Sequence, residues 1–225
     1  MSATGQVALA LIALMLGGTR AFELWQRFHN RRITMTNKVT FHEFMRAGHI
    51  QRWHVVNTVK SQTVAEHAYL VTVIAMELYT KEIGANDPAE FNQLMAAALF
   101  HDAPEIRYGD IPTPGKRFIK ERTGNGFFDD MDRELMPEIP YAGGRLTPRC
   151  EPCIKLADSI EALNWISANK AGAQADMVQK ACIADLQRLV AFYSASDTDW
   201  YEPVNKILMA LGLPYIYREA REQPL

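Results

Sequence analysis

The sequence predicts an all-α protein, and three observations carry that prediction. Apolar residues recur at spacings of three and four through most of the chain, as on one face of a helix. Helix-start signals precede these runs: a capping box at Thr63–Glu66 and a cap followed by proline at Asp87-Pro88. No stretch of useful length alternates apolar and polar residues as a half-buried strand would, and there is no repeat or low-complexity tract. With 225 residues, 48% of them hydrophobic and 22% charged, the chain has the material for one well-buried domain. Its net charge of −2 suits neither a nucleic-acid polymer binder nor an acidic tail, but a local positive site for a small anion remains compatible with it.

The first 34 residues stand apart. Val7 to Leu16 is uniformly apolar and is followed by Gly17, Gly18 and a basic stretch with Arg20, Arg27, Arg31 and Arg32. The apolar run is shorter than the roughly 20 residues a bilayer crossing needs, and no positive segment precedes it as in a signal peptide. Met35 opens MTNKVTFHEF and reads as a natural start. Residues 1–34 are therefore read as an extension outside the domain, with a targeting or anchoring segment as the alternative. Residues 35–225 form the domain, with no membrane contact expected.

Within the domain, Thr63 can accept from the Glu66 N–H while the Glu66 side chain reaches back. The helix they open runs to about Ile83, with Val64, Ala68, Val71, Ala75 and Leu78 on one face, and Gly84 stops it. Asp87 caps a second helix bearing Phe91, Leu94, Met95, Ala98 and Leu99, which should end near Asp102 because Pro104 disfavours helix at Ala103. Gly109 to Gly115 reads as a turn-rich loop, followed by helices at 116–122 and 126–136. Pro137, Pro140, Gly143, Gly144 and Pro148 mark a surface loop, and three more helices are expected at 151–170, 174–194 and 202–211.

The three cysteines, Cys150, Cys153 and Cys182, are an odd count without a framework, which argues against a disulfide-stapled secreted domain and for a cytoplasmic one. Cys150-Glu-Pro-Cys153 resembles half a zinc ribbon, but there is no second pair. These residues are read as structural thiols, with a metal or redox role as the alternative.

The chemistry concentrates in LFHDAPEIRYGDIPTP, Leu99 to Pro114. His101 and Asp102 are adjacent, so one turn of backbone can aim an imidazole and a carboxylate at one point. His67 lies early on an amphipathic helix. Asp158 shares the face of Ile154, Ala162 and Trp165, where a lone carboxylate is costly unless paired or metal-bound. His67, His101, Asp102 and Asp158 together make a mixed nitrogen–oxygen set. Four protein ligands leave room for water and substrate only above four-coordination, which favours Co²⁺, Mn²⁺, Fe²⁺, Mg²⁺ or an expanded Zn²⁺.

The ordered set H…HD…D, with RWHVVNTVKSQTVAEHA, HDAPEIRYGDIPTP and KLADSIEAL, resembles the HD-domain metal-dependent phosphohydrolases, and within them the 5′-deoxynucleotidases of the YfbR type, over about residues 40–211. The resemblance implies an all-α helical bundle with a metal site between helices, usually a homodimer. It implies cleavage of deoxyribonucleoside 5′-monophosphates to deoxynucleoside and phosphate. Residue by residue, it implies metal ligation by His67, His101, Asp102 and Asp158, catalysis by Glu105, phosphate orientation by Arg52, and a sugar contact from Trp53. Asp110, Ile111, Pro112 and Thr113 correspond to the substrate-contacting loop, and Asp102 and Asp158 face the substrate as well as the ion.

Elementary chemistry agrees with those roles. Glu105, three residues beyond Asp102, is near enough to orient or deprotonate a water. Arg52 offers a planar fork for phosphate, and Trp53 a flat wall that tolerates a deoxyribose at C2′. Two departures stand out: His54 follows Trp53 where the family commonly has proline, and Lys116 to Arg149 matches weakly. The competing expectations are a deoxynucleoside triphosphohydrolase, possible in phage-like members of the superfamily, and a nucleotide-sensing module without turnover.

Overall fold

A computed structural model describes residues 38–84, 86–124, 126–135, 146–195 and 198–218. The chain divides into two units, Met1–Lys38 and Val39–Leu225, and the fold described here is that of the second. The N-terminal extension and most of the loop read at 137–148 lie outside the described residues.

Nine α-helices follow in chain order among the described residues: α1 Phe41–Phe44, α2 Val64–Glu77, α3 Pro88–Phe100, α4 Glu105–Tyr108, α5 Thr113–Thr123, α6 Phe127–Leu135, α7 Cys150–Asn169, α8 Ala173–Tyr193 and α9 Tyr201–Ala210. The all-α expectation is met. The β structure among these residues is an antiparallel pair of two-residue strands, β1 Gln51–Arg52 and β2 Gln62–Thr63, with an isolated bridge between Thr58 and Lys170.

The caps act as their sequences indicate. The Thr63–Glu66 box is formed in both directions, and Asp87 accepts from the N–H groups of Ala89 and Glu90 with Pro88 at the first helical turn. After Glu77 the helix widens into a π-helical turn, Leu78–Glu82, and the chain leaves it through Gly84 at φ +64°, a conformation that suits glycine. Two boundaries differ from expectation. Helix α5 begins at Thr113 inside the segment read as a loop, because Pro114 falls in its first turn, where the missing N–H would have no intrahelical partner. Helices α1 and α4, of four residues each, are too short to leave a periodic signature.

Helix α7 is the central element, packing on α2, α3 and α8. Its Leu156, Ile160, Leu163 and Ile166 are fully buried with Val71 and Ala75 of α2, Leu94 and Ala98 of α3, and Leu186 and Val190 of α8. Trp200 and, from α9, Val204 and Leu208 close one side. Ala103, Ile106 and Leu135 form a smaller cluster against Phe44 and Phe100. The burial of whole helix faces stabilises this arrangement, and each fully buried large side chain contributes on the order of 1.5–3 kcal/mol. Cys150 and Cys153 are buried within the same core, and burial raises both thiols, which fits the structural reading and leaves them poor nucleophiles. Among the described residues no helix is long and apolar enough to cross a membrane.

Candidate metal centre

Three of the packed helices each bring part of the set. His67 stands one turn into α2, His101 and Asp102 follow the end of α3, and Asp158 lies midway along α7. His67, His101 and Asp102 place ligand atoms all within 4.8 Å of one another. His67 Nε2 is 3.2 Å from His101 Nε2, 3.4 Å from Asp102 Oδ2 and 3.1 Å from Asp158 Oδ1. His101 Nε2 is 3.5 Å from Asp102 Oδ2. Asp158 joins the group through His67 and opens toward solvent, with its side chain 39% exposed, unlike the sealed apolar face on which its sequence neighbours put it.

Both imidazoles are held by their other nitrogen. His101 Nδ1 donates to the Ala98 carbonyl at 2.7 Å, and His67 Nδ1 donates to Glu161 Oε2 at 2.5 Å. Each therefore turns Nε2 toward the cluster, as metal-binding histidines do. Burial alone would raise the Asp102 carboxyl, but His101, Arg52 and His67 overcome it and hold it down to about 2. The same contest holds Asp158 well below the carboxylate range. Burial opposes a charge on His67, yet the hydrogen bonds to Asp158 and Glu161 raise it to about 9. Three carboxylates, Asp102, Asp158 and Glu161, surround one buried imidazole, an arrangement that favours a cation at this point. Buried side-chain atoms at the same place lack partners: Arg52 Nε and Glu105 Oε2 have no hydrogen bond among the described residues. Donor chemistry, geometry and these orphaned atoms fit a divalent metal with an anionic ligand beside it.

The cluster opens into a cavity of about 460 Å³. Arg52, Asp102 and Asp158 line it. Trp53, Asp110, Ile111, Pro112 and Thr113 line it too, so every residue of the substrate loop expected from sequence reaches the cavity. Arg52 donates to Asp102 Oδ2 at 2.5 Å. Trp53 has φ +62°, a strained conformation for a bulky residue, and its indole N–H donates to Gln62 at 2.9 Å. His54 Nδ1 stands 3.7 Å from Asp110 Oδ2. Glu105 is nearly fully buried, pushed up to about 8 by burial and by the Asp102 charge, and paired with Lys116 Nζ at 2.8 Å. Val178, Ala181, Cys182 and Asp185 of α8 also line the cavity.

Several of these residues were not picked out by sequence reasoning. Glu161 is one turn beyond Asp158, and a charge inside the apolar run SIEAL was its only signal. Lys116, four positions past Pro112, and the neutral Gln62 carried none.

A bundle of helices bringing His67, His101 and Asp102 together, with Asp158 beside His67 and a cavity lined by cationic side chains next to them, defines an HD-domain metal-dependent phosphohydrolase. The family described as 5′-deoxynucleotidase YfbR-like matches residues 26–140, and the chain belongs to that family. It is 33% identical to a dATP triphosphohydrolase of Salmonella phage PMBT28, over 60% of this chain and 67% of that protein. It is 31% identical to a dATP triphosphohydrolase of cyanophage S-2L, over 68% of this chain and 85% of the relative. The 5′-deoxynucleotidase YfbR of Escherichia coli is 36% identical over 31% of this chain and 35% of its own length. Among solved structures, the cyanophage S-2L HD phosphohydrolase DatZ, bound to dA and one catalytic Zn²⁺, superposes with a TM-score of 0.65 at 27% identity, covering 78% of this chain and 96% of that one.

Proposed function

We propose that this protein hydrolyses 2′-deoxynucleoside 5′-phosphates, with a divalent metal held by His67, His101, Asp102 and Asp158. The observation that carries the reading is the cluster of His67, His101 and Asp102, with Asp158 3.1 Å from His67, beside a cavity that Asp102, Asp158, Arg52, Trp53 and Lys116 line. A metal bound there would polarise a phosphoryl oxygen and lower the pKa of a water. Glu105, with one oxygen on Lys116 and the other unpartnered, would take the proton of the attacking water in its carboxylate form, which a pKa pushed up to about 8 makes dominant above that pH. Arg52, which lines the cavity, anchors the phosphate while its Nη1 holds Asp102 in place. Trp53 walls the sugar, and the α8 face of Val178, Ala181 and Cys182 receives the base.

Between the two phosphate chemistries, the triphosphate is favoured: cleavage of a dNTP to deoxynucleoside and triphosphate. Its support is the extent of similarity, since the phage dATP triphosphohydrolases align over 60–68% of this chain and the bacterial 5′-deoxynucleotidase over 31%. Lys116 and Arg117, both lining the cavity, supply positive charge for a longer phosphate chain. Release of phosphate from a monophosphate is the second reading, supported by the family match. A screen of dNTPs and dNMPs with Zn²⁺, Co²⁺, Mn²⁺ and Mg²⁺, resolving triphosphate from phosphate, tests both. Triphosphate release confirms the first reading, and phosphate from dNMP alone replaces it with the second. Tight nucleotide binding without turnover would overturn both in favour of a sensing module.

A further inference from the structure

Gln62 touches neither the ligand cluster nor the cavity, yet it is fully buried at the junction of the two. The Trp53 indole N–H donates to Gln62 Oε1 at 2.9 Å. Gln62 Nε2 donates to Glu161 Oε1 at 2.6 Å, and the other oxygen of that carboxylate accepts from His67 Nδ1 at 2.5 Å. The orientation of the amide is not free. An indole only donates and a carboxylate only accepts, so the reversed amide would set donor against donor and acceptor against acceptor. The backbone supports the same arrangement, because Gln62 pairs with Arg52, the neighbour of Trp53, in the β1–β2 ladder. That short ladder therefore reaches the ligand set twice, from Arg52 to Asp102 and from Trp53 through Gln62 and Glu161 to His67.

We propose that Gln62 is a positioning residue that couples the Trp53 sugar wall to the metal-facing imidazole of His67 through Glu161. The proposal rests on the reading of the cluster as a metal site. Glutamine is suited to the position because it accepts at one end and donates at the other. A carboxylate there would face Glu161 with like charge, and an apolar side chain would strand an indole N–H and a carboxylate oxygen in the interior. Held this way, Trp53 keeps its left-handed backbone, and Glu161 keeps His67 in the tautomer with Nε2 free.

The test is titration of metal-free protein with Co²⁺, followed by its visible absorption, for wild type, Gln62→Met, Trp53→Phe and the double variant. Loss of an outer hydrogen-bond partner of a metal-binding histidine typically costs about tenfold to a hundredfold in affinity, and Gln62→Met should fall in that range. Trp53→Phe keeps an aromatic wall but deletes the donor, so it should weaken Co²⁺ binding severalfold although Trp53 is not a ligand. The double variant should bind no more weakly than Gln62→Met alone, as expected of one connected path. Gln62→Met should also narrow the preference for deoxy over ribo substrate. Unchanged Co²⁺ affinity in folded Gln62→Met, or independent and additive losses in the double variant, would overturn the coupling. If Gln62→Met fails to fold, unchanged affinity in Trp53→Phe overturns it instead. A wild type that binds no Co²⁺ overturns the metal reading itself, a result distinct from wild-type binding that neither variant alters.

Discussion

At the scale of single residues, the site separates by function. The Glu105 side chain pairs with Lys116 and not with the proposed metal ligands, so Glu105→Gln should retain metal and nucleotide while kcat falls by roughly two decades or more, the range expected for a lost general base. Equal loss of bound metal, measured by mass spectrometry, would make Glu105 structural instead. Trp53 makes a different prediction. A ribose hydroxyl buried against its face without a partner should cost about 1–3 kcal/mol, or roughly tenfold to a hundredfold in kcat/KM favouring the deoxynucleotide. Trp53→Ala should narrow that ratio, and an unaltered ratio for ATP against dATP would remove the wall from the explanation. His67, His101, Asp102 and Asp158 could be picked out in the sequence as candidates because they are metal-donor types in a recognisable order, and the first three cluster in the structure. Gln62, Glu161 and Lys116 could not, because a neutral amide or an ordinary charge gains its role only from partners far away in the chain: Gln62 meets Glu161 across 99 positions.

At the scale of elements, the long helices announce themselves and the short ones do not. A capping box and a 14-residue apolar rhythm identify α2, whereas α1, α4 and the two-residue strands hold too few residues for any period to show. Yet these short pieces frame the site. Helix α1 is tied to α4, which begins with Glu105, by Arg107 Nη2 donating to Glu43 Oε2 at 2.7 Å. The Thr40 backbone N–H and then Arg107 pull the Glu43 carboxyl down from 4.5 to about 2. A carboxyl depressed in the folded state contributes stability above its ordinary pKa and loses it as pH falls toward the folded value. The stability gap between wild type and Glu43→Gln, from urea unfolding, should therefore be full near neutral pH, shrink below 4.5 and vanish near about 2. A gap that persists into the acid range would assign the contact to packing and not to charge.

At the scale of the whole molecule, the ligand set joins helices that are distant in the chain. His67 comes from α2, His101 and Asp102 from the end of α3, and Asp158 from α7, the helix on which the others pack. A cation held by all four favours the folded state alone, since the unfolded chain cannot converge them. At free metal about a hundred times Kd the stabilisation is about 2.7 kcal/mol, and a chain of this size gains roughly 2–4 °C per kcal/mol. Chelation should therefore lower the Tm by roughly 5–10 °C and restoring metal should return it. Asp102→Ala removes a negative ligand, and with it the anion that Arg52 and both imidazoles face. This variant should lose turnover and become insensitive to chelator in the same melting experiment. The two effects must occur together, because one carboxylate serves both. A variant that melts lower but still responds fully to chelator would show that Asp102 supports the fold without holding the ion.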